Sequence, residues 1–291
     1  MIKITLPKKG TILEFNNFNW SNKVPIVIYA VFECFTKPIQ SCQPDLDKSF
    51  TEKYQKHEPS GFCYYILKNG EPVKHVLYSQ REDGEVITGI FIDLLEKDLG
   101  RIWLMEHKPM VMTENNKIDF ENAKTCYLCK KTFPSNDKKC RDHDHKTGKY
   151  RGATDNKCNL LYQEPQHILV IFHNLSGYDA HLFIKNLGKT PGRLNCILKT
   201  EKNYISFSKK IYDKEQEKKF EIRFIDSFRF LQSSLEKLTK NLEKEQFTHL
   251  KKTFDEEACE LLRRKGVFPY DWFNSLSKFN DTQLPPKEML Y

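Results

Sequence analysis

No run of about 18 apolar residues occurs in this 291-residue sequence, so it offers no membrane-spanning helix. Met1-Ile2-Lys3-Ile4 lacks the apolar core of a secretory leader. Internal repeats and low-complexity tracts are missing as well, which excludes a solenoid. An even cysteine complement is also lacking. Nine cysteines cannot all pair, and those outside one cluster are scattered. Cys34, Cys42, Cys63, Cys196 and Cys259 therefore read as free thiols of a reducing, intracellular compartment, the nucleus in a eukaryotic host. What is present suits a soluble globular chain with a real core: charged residues make up 30% and aromatics 13%. The length fits about two domains, or one domain with an insertion. The formal net charge is +8, and residues 124–151 alone hold nine Lys or Arg against three Asp. Basic excess concentrated in one segment predicts contact with phosphates there.

That segment is also where the metal-binding side chains gather. It runs Cys126-Tyr127-Leu128-Cys129, Asp142-His143-Asp144-His145, Arg151-Gly152 and Cys158-Asn159. Cysteine, histidine and carboxylate bind zinc or a catalytic divalent ion. Lys146, Lys149 and Arg151 are of the types that bind phosphate. Each piece alone is weak, since a Cys-x-x-Cys pair can be redox-active or accidental and the Asp-His run can be a solvated turn. Together and in order they predict a structural zinc site. With an acid–base histidine and phosphate binders, they point to nucleic-acid phosphodiester chemistry.

Along the rest of the chain, the apolar run 25–32 predicts a buried strand. Asn69-Gly70 predicts a hairpin between residues 63–68 and 71–78. Apolar spacing predicts a helix over 88–99. A second buried strand at 167–172 is followed by a polar turn and a helix over 180–187. Residues 204–208 and 220–225 read as strands with the charged stretch 209–219 as their turn. Leu231, Leu235, Leu238 and Leu242 predict one helix face, and 255–265 a capped helix. Strand, hairpin, helix, strand, helix is the order of an RNase H-like mixed α/β domain, with the Cys-His segment inserted between two halves of one sheet. Glu33 ends the first strand and Asp179 follows the second, where metal-binding carboxylates gather in open α/β sheets. The plainer alternative is a surface glutamate and a helix-capping aspartate.

Residues 124–162 resemble the recombination endonuclease VII family, a branch of the HNH or ββα-metal nucleases. Its pattern is Cys-x-x-Cys, Asp-His-x-His, Arg-Gly, then Cys-x-x-Cys-Asn. The resemblance implies a zinc-bound ββα-metal finger with Cys126, Cys129 and Cys158 on zinc. It implies Asp142 and Asn159 on magnesium or manganese, His143 as general base, and His145 assisting at the phosphate. Asp155 stands where the pattern has Cys or His, so the fourth zinc ligand is Asp155 or Cys140. The finger is then either catalytic or kept for folding and DNA binding.

Residues 24–33, ending Ala30-Val31-Phe32-Glu33, and 173–183, with His173-Asn174-Leu175-Ser176-Gly177-Tyr178-Asp179, resemble Exo I and Exo II of protein-primed family B DNA polymerases. The likeness is greatest to those of Polinton/Maverick-type mobile elements, which carry an endonuclease VII-like finger in this place. Residues 224–230 and 265–271 are similar to further stretches of that family. Ser234-Leu235-Glu236-Lys237-Leu238 matches its Ser/Thr-Leu-x-x-apolar pattern. The resemblance implies a 3′–5′ proofreading exonuclease domain ahead of a polymerase domain. Glu33 and Asp179 would then bind metal, and Asn174, Tyr178, Ser234 and Leu235 would contact single-stranded DNA. Two features depart from the family: Val31 replaces the first Exo I carboxylate, and no Tyr-x-x-x-Asp occurs anywhere. Palm motifs are absent too. The expectation is an N-terminal polymerase fragment made of residues 1–123, 124–162 and 163–291, with DNA binding retained and the exonuclease silent. The alternatives are a metal-dependent DNA nickase acting through the finger on branched or duplex DNA, and a non-enzymatic zinc-containing DNA-binding remnant.

Overall fold

The computed structural model describes residues 8–11, 23–39, 55–103, 108–133, 139–145, 147–162, 165, 167–200, 203–213 and 218–290. Cys42 and Lys146 lie outside the described residues. The chain divides into two units, Met1–Lys23 with Leu104–Pro165 and Val24–Trp103 with Gln166–Tyr291.

The larger unit opens with strands β1 (Ile26–Pro38), β2 (Gln55–Lys68) and β3 (Glu71–Ser79) and helix α1 (Ile87–Trp103). The smaller unit supplies α2 (Glu114–Asn122), β4 (Lys139–His143), β5 (Tyr150–Asp155) and α3 (Asn156–Leu161). The larger unit resumes with β6 (His167–Phe172), α4 (Ala180–Leu187), β7 (Arg193–Thr200), β8 (Asn203–Asp213) and β9 (Lys218–Asp226). It continues through α5 (Leu235–Lys240), α6 (Thr248–Thr253) and α7 (Glu256–Leu262).

Seven strands of the larger unit form one mixed sheet in the order β3-β2-β1-β6-β9-β8-β7. Its centre, β1-β6-β9, is parallel, and antiparallel hairpins flank it on both sides. The two halves of the chain meet at the β1–β6 pairing, where Val27 stands opposite Leu169. A mixed sheet built from both halves is what the element order predicts.

Helices α1 and α4 cover one face of this sheet. Phe91 of α1 and Phe183 of α4 pack with Phe32, Phe62, Tyr64, Phe172, Phe207 and Phe224 in an all-aromatic centre. Ring pairs such as Phe32–Phe91, 4.9 Å between centroids, add edge-to-face attraction to the burial itself. On the opposite face, among the described residues of the larger unit, the centre of the β1–β3 half is exposed. Tyr29 and Val31 on β1 and Leu77 on β3 remain exposed. Over Ile26–Phe32 the first strand is therefore buried on one side, although its apolar run is continuous, whereas Cys34, Phe35 and Thr36 are buried in succession.

Three other expectations change. The charged stretch 209–219 is largely strand: Lys209 turns inward, and its ammonium lies 2.8 Å from Glu96 Oε1, which lets a lysine occupy a fully buried position. β7, α2 and α6 were not anticipated. The Leu231–Leu242 face shrinks to α5, because the Ser234 side chain accepts the Lys237 N–H and caps the helix there, leaving Leu231 upstream.

In the smaller unit, β4 and β5 pair antiparallel and run into α3, a ββα arrangement. α2 packs with them. The Lys139 ammonium donates to the α2 terminal carbonyls of Glu121 (3.0 Å) and Ala123 (3.2 Å), and the Tyr150 hydroxyl donates to Asp119 (3.1 Å). A cation at the carbonyl end of a helix offsets its dipole.

Candidate functional site

The smaller unit gathers four metal-binding side chains. Cys126 and Cys129 lie in a tight turn closed by the Thr125–Thr132 bridge, with Cys126 N–H on Lys131 O (2.9 Å) and Lys130 left-handed at φ 62°. Asp155 ends β5 and caps α3, accepting the Cys158 N–H at 2.9 Å. One ligand atom from each of Cys126, Cys129, Asp155 and Cys158 lies within 4.8 Å of all the others. Two donors on one zinc, each about 2.3 Å from it, can be at most about 4.6 Å apart, so the group is close to coordinating size. Burial, and then the Asp155 carboxylate, push the Cys158 thiol well up. Such a pocket favours thiolates only when a cation neutralises them. Three sulfurs and one oxygen suit zinc by softness and number. Cys140 is not in the group, and its Sγ lies 3.8 Å from Asn156 Oδ1.

The Asp-His run starts on β4. Asp142 is buried and paired: Arg151 Nε donates to Oδ2 at 2.8 Å and Nη2 to Oδ1 at 2.9 Å, while the Tyr127 hydroxyl also donates to Oδ2. Arg151 thus meets a carboxylate of its own unit. Desolvation, followed by the neighbouring His145, holds the His143 imidazole below its usual range, which keeps it neutral near pH 7. The rings of His143 and His145 are 4.4 Å apart. Asp144 accepts the Thr147 N–H at 2.9 Å and serves the turn. Asn159 lies on α3 directly after Cys158, and Lys149 just before β5 bridges to Val111.

In the larger unit, the 173–179 turn is tightly determined. Asn174 is left-handed at φ 75°, and the chain then makes one wide turn over Leu175–Asp179. A Cβ at Gly177 would stand 2.4 Å from Asn174 Oδ1, so a larger residue there would displace the Asn174 amide. The turn brings Asp179 under β1, where its Oδ1 accepts the Phe32 N–H at 3.3 Å. Burial pushes the Asp179 carboxyl up to about 7, with Glu33 and Asp226 adding their charges. Burial also raises the Glu33 carboxyl, although the residue as a whole stays exposed.

Asp226 is the residue that sequence reasoning passed over. It ends β9, beside β6 in the sheet, and accepts N–H groups from Asn174 (2.9 Å), Ser176 (2.9 Å) and Phe228 (3.0 Å). Desolvation works against its charge, but these bonds outweigh it and hold the carboxyl below its usual range. The strand-end rule that singled out Glu33 and Asp179 would have found it.

Next to this turn lies a groove of about 770 Å³. Asn174, Ser234 and Leu235 line it together with Phe228, Tyr270, Arg264 and Lys265. Tyr178 is not among its lining residues; its hydroxyl meets His57 Nδ1 at 2.8 Å. Aromatic rings and permanent cations along a cleft are what a single polynucleotide strand binds.

Residues 103–171 match the family model of recombination endonuclease VII. Residues 159–289 match the family model of DNA polymerase type B, organellar and viral. No curated protein and no solved structure matches the chain. The chain thus joins a segment similar to recombination endonuclease VII to a segment similar to the type B DNA polymerases of organelles and viruses.

Proposed function

We propose that the chain is a DNA-binding part of a type B DNA polymerase, of the protein-primed kind found in Polinton-type elements. The larger unit is an RNase H-like exonuclease domain that has lost its activity, and the smaller unit is a zinc-held finger. The groove beside the 173–179 turn carries this reading. Its rings can stack on bases, and Arg264 and Lys265 can neutralise phosphates. The similarity of residues 159–289 to type B polymerases supports the same ligand.

Strand cleavage is not retained in the larger unit. Val31 stands two residues before Glu33 on the same strand face and offers no oxygen. Asp226 is committed to three backbone N–H groups. Two remaining carboxylates do not supply the charge that two closely spaced cations need. A nicking activity of the smaller unit is the second reading, favoured by the neutral His143 beside His145.

The test is fluorescence anisotropy with a labelled single-stranded oligonucleotide. Phe228→Ala and Tyr270→Ala should each weaken binding by about 1–3 kcal/mol. Unchanged affinity in the double variant would remove the groove as the DNA site.

A further inference from the structure

Beside the groove lies a second cavity of about 330 Å³, between α6 and α7. Its size is at the small end of ligand pockets. Arg263, directly after α7, lines both cavities and is the wall they share. Three neighbours fix it. Its Nη1 donates to Glu260 Oε1 at 3.1 Å, its guanidinium lies 4.8 Å from the centre of the Phe247 ring, and its carbonyl accepts the Thr239 hydroxyl of α5 at 3.4 Å. The two cavities differ in charge. The groove has three cations, Arg263, Arg264 and Lys265, against Glu236 alone. The second cavity has Lys244, Lys251 and Arg263 against Glu245, Glu256 and Glu260, so its charges cancel. A cationic excess draws phosphate, whereas a balanced set offers donors and acceptors to an uncharged ligand. The second cavity also presents a ring. Phe254 follows α6 and is 46% exposed, although phenylalanine is among the residues most often buried. Its carbonyl accepts from the buried Cys259 thiol at 3.6 Å. A flat, uncharged group rich in donors and acceptors matches these walls, and a nucleobase is such a group. Unpaired bases stack on aromatic rings and on guanidinium planes.

We propose that the second cavity takes one nucleobase, turned out of the strand that lies in the groove, with Phe254 as its stacking partner. Arg263 stands where the strand passes from one cavity to the next. The proposal rests on single-stranded DNA binding in the groove. It divides one nucleotide between two environments, the phosphate beside the groove cations and the base in the charge-balanced cavity.

The test is photocrosslinking of the full chain to an oligonucleotide in which iodouracil replaces every thymine, with the crosslinked residues mapped by mass spectrometry. Crosslinks are expected at Phe254 as well as at Phe228 or Tyr270 of the groove. Phe254→Leu keeps apolar bulk and loses the ring. It should weaken binding about tenfold and leave the log–log salt slope unchanged, because no phosphate contact is lost. Its urea midpoint, set against that of the native chain, reports folding. Crosslinks confined to the groove, or native affinity in Phe254→Leu, would overturn the proposal and leave the groove standing. A flattened salt slope in Phe254→Leu would overturn it as well, since the ring would then be holding cations in place and not a base. Absence of crosslinks at both places, with no binding by anisotropy, would instead overturn the DNA-binding reading.

Discussion

A single carboxyl, Asp179, should leave a mark on the pH dependence of folding. In the folded chain it holds its proton up to about pH 7, whereas an unfolded aspartate releases it near 3.8. Its contribution to stability is therefore fully present below the ordinary carboxyl range and is lost as pH rises through about 7. Asp179→Asn keeps an oxygen for the Phe32 N–H and carries no charge. It should raise the unfolding free energy by on the order of 3–4 kcal/mol at pH 8 and by almost nothing at pH 3.5, in urea titrations without added magnesium. An equal gain at both pH values would show that charge burial is not the cause. The cysteines give a second residue-scale prediction. Purified protein should carry one zinc per chain, lost in Cys126→Ser and kept in Cys140→Ser, because only the former belongs to the four-residue group. Elemental analysis of the three proteins decides it.

At the scale of elements, the groove makes a salt prediction. Each phosphate neutralised on single-stranded DNA contributes about −0.7 to the log–log salt slope. Replacing both Arg264 and Lys265 by alanine should flatten that slope by about 1.4 without changing the ranking of different sequences. A steeper or sequence-dependent change would mean that these cations read bases. Elements whose pattern is local were legible from the sequence. β6 falls on its continuous apolar run and α4 on the residues that read as helical, and the β2–β3 hairpin turns at Asn69-Gly70. Elements that depend on distant partners were not. β7 is a mostly exposed edge strand with little apolar pattern, and α2 buries no residue and is held by Lys139 and Tyr150. The candidate sites divide in the same way. The Cys pair could be read from spacing, while Asp155, with Cys140 as its alternative, came from the family resemblance. The Arg151–Asp142 lock depends on strand register, which one sequence does not display, whereas Asp226 lay within reach of the strand-end rule.

For the molecule as a whole, the expected outcome is binding without trimming. An end-labelled oligonucleotide should not be shortened from its 3′ end with magnesium or manganese, by the native chain or by Val31→Asp. Restoring one carboxylate does not release Asp226 from its backbone bonds. Shortening that Asp179→Ala abolishes and His143→Ala leaves intact would show the larger unit to be a live exonuclease. The parallel pairing of β1 with β6 has a separate consequence, for the order of folding. Strand β1 gains its second neighbour late, because its partner at Leu169 follows Val27 by about 140 positions. During translation the β1–β2–β3 hairpins wait with one edge of β1 unpaired while residues 104–165 of the smaller unit emerge. Capture of a metal by the Cys126–Cys158 segment can then shorten the effective loop before the sheet closes, so zinc supply would govern how long that sticky edge stays open to other chains.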